Sequence, residues 1–267
     1  MQLPGYRTNR KLVIIESDDW GSIRTLNNSA QTELLDKFPL LKKDPYFLLD
    51  ALEEPEDLNC LFEVLTSVKD SMGNSCILTA NTIMANPSFE KIKASNFLQY
   101  YFEDFTTTLY IRDGNNSTID LIKEGISKKI YQPQLHGREH LNINQWLGAL
   151  RNEHHELLEA FNYGMFGISL EEKINMRKNV MAALDFSDII ELEEHQELLI
   201  DAQNKFKEIF GFTSKTFIAP SYIWHKNHEP ILKKIGITAM QGLPYQYQPN
   251  PKGKWYKTSY RYTGMQS

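Results

Sequence analysis

Short apolar segments alternate along the chain with longer segments in which apolar residues recur every three or four positions. The short segments are rich in valine, isoleucine and leucine, a composition typical of strands buried on both faces of a sheet. Polar residues, glycine or proline follow most of them. The pattern therefore predicts buried strands at residues 11–15, 76–80, 130–135, 216–219 and 237–240.

The longer segments predict helices between these strands. Asn142 or Asn144 is a candidate N-cap for a long helix that carries Trp146 and continues to Phe161. Together with this one, we predict helices at residues 55–72, 116–127, 142–161, 193–210 and 230–235. Strands that alternate with helices favour an α/β fold with a mainly parallel sheet or barrel and right-handed crossovers.

Length and composition narrow the class of protein. We expect the 267 residues to form one domain over 1–267, and a missing C-terminal end remains an alternative because no final strand is evident there. A net charge of −5 and scattered basic residues argue against nucleic acid as a partner. No apolar stretch approaches the ~20 residues of a membrane span, and no signal peptide is visible, so we expect a cytoplasmic protein. The sequence leaves the oligomeric state open.

Polar side chains follow several of the predicted strands. Asp18 and Asp19 come after the first, Asn81 after the second, His136 after the third, and Tyr222 soon after the fourth. In parallel α/β folds the carboxyl ends of the strands lie at one rim, and active sites form there. Residues that are far apart in sequence are therefore expected to meet at one site.

The polar residue types at these positions suit a metal ion. His136 and His140 are four residues apart, and this spacing lets two imidazoles converge either on one helical face or across a loop. With a carboxylate from Asp19 they would leave open coordination positions, as catalysis requires. Zinc is the natural candidate, and cobalt, nickel or iron would also fit. The alternatives are an Asp-Asp turn or helix cap and loop histidines bonded to backbone.

Three segments resemble motifs of the polysaccharide-deacetylase (NodB-like) family, and the chain as a whole resembles a divergent member of that family. Residues 14–21, Ile-Ile-Glu-Ser-Asp-Asp-Trp-Gly, resemble its first motif, an apolar strand that leads into Thr-Phe-Asp-Asp-Gly. Residues 136–140, His-Gly-Arg-Glu-His, resemble its second, His-Ser/Thr-x-x-His. Residues 217–222, Phe-Ile-Ala-Pro-Ser-Tyr, look like a degraded Phe-Arg-x-Pro-Tyr. The resemblance extends over residues 11–242.

This resemblance implies a fold, a reaction and roles for particular residues. The fold would be a distorted (β/α) barrel of about seven strands. The reaction would be the metal-dependent removal of an acetyl group from an N- or O-acetylated sugar or polysaccharide precursor. Matched by position, Asp18 is the catalytic base, and Asp19, His136 and His140 are the metal ligands.

The sequence departs from the family at the arginine that orients the base, since Ile218 stands in its place. Arg24, Arg112 and Arg138 are candidate substitutes, and the sequence does not select among them. The family's late Leu-x-His motif, which carries the general acid, has no clear counterpart.

His225 and His228 are candidates for this missing acid. His225 is preferred because it lies nearer the predicted strand end. The alternative is a surface histidine that caps the following helix.

Aromatic residues near the motifs could bind a sugar. Trp20 replaces the glycine that follows the family's Asp pair, and Tyr222 and Trp224 lie in and after the third motif. Each ring either stacks on substrate or packs in the protein.

Two other functions remain open. The protein could be a catalytically impaired, NodB-like glycan-binding protein. It could also be a related barrel hydrolase that acts on another C–N bond or on a glycosidic bond. A glycosidase would need two carboxylates that flank the scissile bond, whereas this candidate site is rich in imidazole.

Overall fold

The computed structural model describes residues 8–171, 174, 179–250, 256–262, 264 and 265. Its strands in chain order are β1 (Ile15–Trp20), β2 (Leu78–Ile83), β3 (Ala85–Pro87), β4 (Phe102–Asp104), β5 (Tyr131–Gly137), β6 (Thr216–Ile218), β7 (Ala239–Gln241), β8 (Tyr245–Gln248) and β9 (Lys257–Tyr260).

Helices connect most of these strands, and none in the described ranges combines the length and apolar character needed to cross a membrane. The α-helices are α1 (Asn28–Lys37), α2 (Pro45–Leu49), α3 (Pro55–Ser67), α4 (Phe89–Ala94), α5 (Phe105–Asp113), α6 (Ser117–Ser127), α7 (Ile143–Arg151), α8 (His155–Asn162), α9 (Glu191–Phe210) and α10 (Glu229–Lys234). Short 3-10 helices lie at Pro39–Lys43, Pro220–Tyr222 and Lys226–His228.

The main sheet has five strands in the order β1-β2-β5-β6-β7, and every neighbouring pair is parallel. This confirms the predicted α/β class with a parallel sheet. Within the described ranges, β1 and β7 are not joined by a ladder of hydrogen bonds, so the barrel of about seven strands stays a prediction. Two small antiparallel pairs, β3-β4 and β8-β9, lie outside this sheet.

The first strand differs from its prediction. The predicted strand covered residues 11–15, whereas β1 begins at Ile15 and runs through the Asp pair to Trp20. The apolar run before it is exposed, with Val13 at 89% and Ile14 at 72%. Burial of this run was therefore wrongly predicted. Among the described strands β1 pairs only with β2 and lies at the edge of the sheet, so its composition alone could not show which faces are covered.

The predicted long helix at residues 142–161 is two helices. Asn142 caps α7, because its Oδ1 accepts a hydrogen bond from the backbone N–H of Gln145 at 3.0 Å. α7 ends at Arg151, and Glu153 takes a left-handed φ of 56° before α8 begins at His155. Because the apolar stripe continues across this break, the sequence pattern predicted a single helix.

Two apolar cores hold the molecule together. One lies around the sheet and includes Leu58, Phe62, Tyr131, Leu135, Phe206 and Phe217. The other is formed largely by helical segments that include α1, α7 and α8, and Trp146 is its largest fully buried side chain. The rings of Phe89, Phe161 and Phe166 lie 5.6 to 6.4 Å from that of Trp146.

We expect Trp146→Ala to lower the free energy of unfolding by about 3–5 kcal/mol, because it removes a fully buried ring and leaves a cavity. Trp146→Phe is the matched control. It keeps most of the ring packing, and it removes an indole N–H that is buried without a hydrogen-bond partner among the described residues. Urea denaturation measures both variants. A Trp146→Ala variant as stable as Trp146→Phe would contradict this account of the second core.

Candidate metal centre and active site

An irregularity in β1 brings Asp18 and Asp19 to the rim of the sheet. Ser17 pairs with Ala80 and Trp20 pairs with Thr82, so the two aspartates on β1 oppose a single residue on β2. This is a β-bulge, a feature that redirects side chains and is common beside active sites. Asp19 has a left-handed φ of 68°, which departs further from a regular strand. Neighbouring side chains that would alternate between faces in a regular strand can therefore reach one site.

A second irregularity places His136 at the same rim. Thr82 pairs with Leu135 and Ile83 pairs with Gly137, so His136 is the extra residue on β5. His140 follows in the loop between β5 and α7 rather than on a helix. Both imidazoles are buried. The two histidines thus converge across a loop, one of the two arrangements that the spacing allowed.

The three predicted ligands lie together. Oδ1 of Asp19 lies 3.1 Å from Nε2 of His136 and 3.3 Å from Nε2 of His140. One ligand atom from each residue falls within 4.8 Å of the other two. Ligands about 2.0–2.2 Å from a tetrahedral zinc ion would be separated by about 3.3–3.6 Å. The group is therefore close to the size that such an ion requires.

Hydrogen bonding around His136 also fits a cation. Its Nδ1 lies 2.9 Å from the backbone carbonyl oxygen of Ile218 and must donate the proton, since a carbonyl oxygen only accepts. In the neutral imidazole, Nε2 then carries a lone pair that faces the carboxylate oxygen of Asp19. Two acceptors in contact repel each other unless a cation lies between them. A metal-ligating histidine commonly has this kind of backbone partner, which fixes its tautomer.

The charge states of the buried groups suit the same role. Burial acts to raise the pKa of Asp19, but His140, His136 and the Arg24 guanidinium hold it well below its usual range. Burial lowers the pKa of His140 to about 3, against the opposing effect of Asp19. Near neutral pH the group therefore offers an ionised carboxylate and a neutral imidazole, the forms that bind metal.

Asp18 is held by different partners. Nδ2 of Asn81, on β2, donates a hydrogen bond to Oδ1 of Asp18 at 2.7 Å. The Tyr222 hydroxyl lies 3.5 Å from Oδ2 of Asp18. Ser221 and Tyr222 both have left-handed φ values, 55° and 57°, in the turn after β6. For residues other than glycine this is a costly backbone conformation, and such strain often occurs at functional sites.

Arg24 is the candidate arginine that reaches the aspartates. Its Nη2 lies 2.5 Å from Oδ2 of Asp19, and the side chain is only 9% exposed. It therefore pairs with the predicted metal ligand and not with the predicted base. The other two candidates have partners elsewhere: Arg112 pairs with Asp113, and Arg138 pairs with Glu139 and Asp201.

The segment between the aspartates and Arg24 is fixed by buried polar side chains that the sequence did not mark. Asn86 is fully buried; its Oδ1 accepts from the backbone N–H of Ile23, and its Nδ2 donates to the carbonyl oxygen of Gly21, both at 2.9 Å. Oε2 of Glu53 accepts from the backbone N–H of Gly21 at 3.1 Å. These bonds satisfy backbone groups that would otherwise be buried without partners.

Gly21→Ala should destabilise the protein more than Gly73→Ala does. Both glycines have left-handed φ values, 77° and 82°, so each alanine costs about 1–3 kcal/mol of backbone strain. At Gly21 the new Cβ would also lie 2.8 Å from the carbonyl oxygen of Ile83, and this clash adds about 1–3 kcal/mol. At Gly73, no heavy atom of the described chain lies within 4 Å. Thermal unfolding of the metal-free variants measures the difference, and equal losses would contradict it.

The remaining predicted site residues lie in other surroundings. Trp224 is 4% exposed and packs in the core around the sheet, so it has no free ring face for a sugar. Trp20 lies at the end of β1, half-buried, with its ring edge-on to Tyr131 at 5.3 Å. His225 accepts a hydrogen bond from the backbone N–H of Asn227 and contacts the ring of Phe186. The substrate-binding role of Trp20 and the acid role of His225 stay predictions.

No protein-family model and no curated protein matches this sequence. Solved structures to which this chain shows some similarity include a 4-alpha-glucanotransferase from Thermococcus litoralis, at 7% identity and a TM-score of 0.37, over 85% of this chain and 21% of that chain. A polysaccharide deacetylase from Bacillus cereus is 12% identical with a TM-score of 0.34, over 85% of this chain and 56% of that one. IcaB from Ammonifex degensii is 11% identical with a TM-score of 0.34, over 94% and 89% of the two chains.

Polysaccharide deacetylases are therefore among the solved structures that this chain resembles. The chain spans 21% and 56% of the first two structures named. Because these TM-scores are low, the chemistry of this chain has to follow from its own residues.

Proposed function

We propose that the protein is a metal-dependent hydrolase that removes an acetyl group from an N- or O-acetylated sugar or polysaccharide precursor. The observation that carries the proposal is the convergence of Asp19, His136 and His140 within 4.8 Å of one another. Asp18 is next to Asp19 in the chain, and its carboxylate is not one of the three ligands of this group. A three-ligand set with a separate carboxylate is the arrangement that metal-assisted hydrolysis requires.

Asp19, His136 and His140 would hold the ion, which is zinc or, in its place, cobalt, nickel or iron. When bound, the ion would polarise the acetyl carbonyl and lower the pKa of a water molecule toward ~7. Asp18 would accept the proton of the attacking water as general base. Asn81 fixes one oxygen of Asp18, and among the described residues the other oxygen has only the long contact with Tyr222.

Tyr222 is the aromatic residue best placed to meet a substrate. Its hydroxyl lies beside Asp18, and its side chain is partly exposed. Burial and the nearby Asp18 charge raise the pKa of Tyr222, so the phenol keeps its proton. It would donate a hydrogen bond to a sugar oxygen or to the attacking water.

The general acid is assigned to His225 as a proposal. A histidine that gives a proton to the leaving group must first carry one. Burial and the nearby Lys226 and Lys257 lower the pKa of His225, which disfavours the protonated form. Substrate binding would have to offset this effect for His225 to serve as the acid.

Acetate release from a panel of N- and O-acetylated mono- and oligosaccharides tests the proposal. The protein is stripped with a chelator and then reloaded with zinc, cobalt, nickel or iron(II). We expect chelation to abolish release and about one equivalent of metal to restore it. Metal binding without acetate release from any substrate would favour the glycan-binding alternative. New reducing ends without acetate would favour a glycosidic-bond hydrolase.

A further inference from the structure

The two neighbouring aspartates are distinguished by the partners of their oxygens. In Asp19, Oδ1 faces the two imidazoles and Oδ2 faces the Arg24 guanidinium. In Asp18, Oδ1 takes a hydrogen bond from the Asn81 amide. One carboxylate therefore has a cation as its fixed partner, and the other has a neutral donor.

From this arrangement the geometry points to two positioning residues, Arg24 for the metal ligand Asp19 and Asn81 for the base Asp18. In the family that the motifs resemble, one arginine from the third motif orients the base, and here that position is Ile218. The inference rests on the proposed function, and it assigns the orienting task to two side chains instead of one.

Arg24 is itself held in place. Its Nε lies 3.6 Å from Oδ2 of Asp50, and its Nη1 lies 3.6 Å from Sδ of Met181. Because the side chain is buried, its charge must be paired, and Asp19 supplies the short contact. The pairing occupies Oδ2 of Asp19 and leaves Oδ1 directed at the histidines. Arg24 thus fixes which oxygen of Asp19 is offered to a metal.

Asn81 acts on the other carboxylate from the interior of the sheet. It lies on β2, between β1 and β5, and its side chain is 2% exposed. It is also the residue that faces the β1 bulge, opposite Asp18 and Asp19. An amide donor orients Asp18 without placing a positive charge beside it, which suits a carboxylate that has to accept a proton. Ile218 retains a separate task, because its backbone carbonyl fixes His136.

The test is a comparison of metal affinity and turnover across variants of the two residues. Zinc affinity is measured by competition with a chromophoric chelator, and kcat and KM are measured from acetate release. Arg24→Met should weaken zinc binding by about 10–100-fold, the usual effect of losing a residue that holds a metal ligand in place. Arg24→Lys should recover part of the lost zinc affinity. Asn81→Ala should leave zinc affinity within about threefold while kcat falls by about 10–100-fold at a nearly unchanged KM.

Two further variants serve as controls. Arg151→Met removes an exposed arginine on α7 and should change neither quantity. Asn81→Ser keeps a polar side chain at a buried position, so it answers the same question if Asn81→Ala fails to fold.

Wild-type zinc affinity in Arg24→Met would overturn the Arg24 assignment. A loss of zinc in Asn81→Ala as large as that in Arg24→Met would overturn the division of tasks. A wild-type protein that binds zinc but releases no acetate would instead count against the proposed function, and the zinc measurements would still decide the role of Arg24.

Discussion

His136→Ala is expected to abolish stoichiometric metal binding. The substitution removes one of the three ligand atoms of this group. It leaves two, Oδ1 of Asp19 and Nε2 of His140, which lie 3.3 Å apart. Loss of a residue that only hydrogen-bonds to a metal ligand already lowers metal affinity by about 10–100-fold, so the loss of a direct ligand should lower it more. Asp19→Ala should have the same effect, and it also leaves the buried Arg24 without its closest carboxylate. Elemental analysis after gel filtration in zinc measures the bound metal.

The matched control for this prediction is His155→Ala. His155 is an exposed histidine at the start of α8, and its ring packs against Phe38 at 5.5 Å. The control should retain about one zinc per chain, because its imidazole is not part of the ligand group. If His136→Ala and His155→Ala retained equal amounts of zinc, His136 would not be a ligand.

Asp18→Asn is expected to reduce acetate release by about 10²–10⁴-fold, the usual contribution of a general base. The new side chain has the same shape, and its amide oxygen can still accept the hydrogen bond from Asn81. The substitution therefore removes proton transfer while it leaves the metal ligands in place, and zinc stoichiometry should not change. Initial rates on the best substrate of the panel measure the effect.

Asp36→Asn is the control for the base. Asp36 is exposed on α1 and should give the wild-type rate after substitution. Undiminished release in Asp18→Asn would remove Asp18 from its role. A parallel loss of zinc would show that Asp18 acts through the metal and not on the water.

The sequence predicted the parts of the site that depend on strand ends. Apolar runs that end in polar residues located Asp19 and His136 at one rim, because parallel strands share a direction. The motif resemblance then separated the role of Asp18 from that of Asp19. What brings these groups together could not be predicted: the bulge at Asp18 and Asp19 and the bulge at His136 have no mark in composition.

Burial and ion pairing are two further features that the sequence did not predict. Val13 and Ile14 have the composition of a buried strand yet are exposed ahead of the edge strand β1, and the sequence did not decide between sugar stacking and packing for Trp224, which lies in the core. Three arginines were equal candidates in sequence, and only the fold shows that Arg24 is the one that pairs with Asp19, whereas Arg112 and Arg138 pair with carboxylates elsewhere. Each outcome depends on contacts between distant segments, which local patterns do not encode.

The most direct test of the shared ion is a crystal grown with zinc, with diffraction recorded on both sides of the zinc absorption edge. One anomalous peak per chain is expected, at bonding distance from the Asp19 carboxylate and from Nε2 of His136 and His140. A peak bound by other residues, or saturating zinc that leaves these three side chains without a peak, would contradict it.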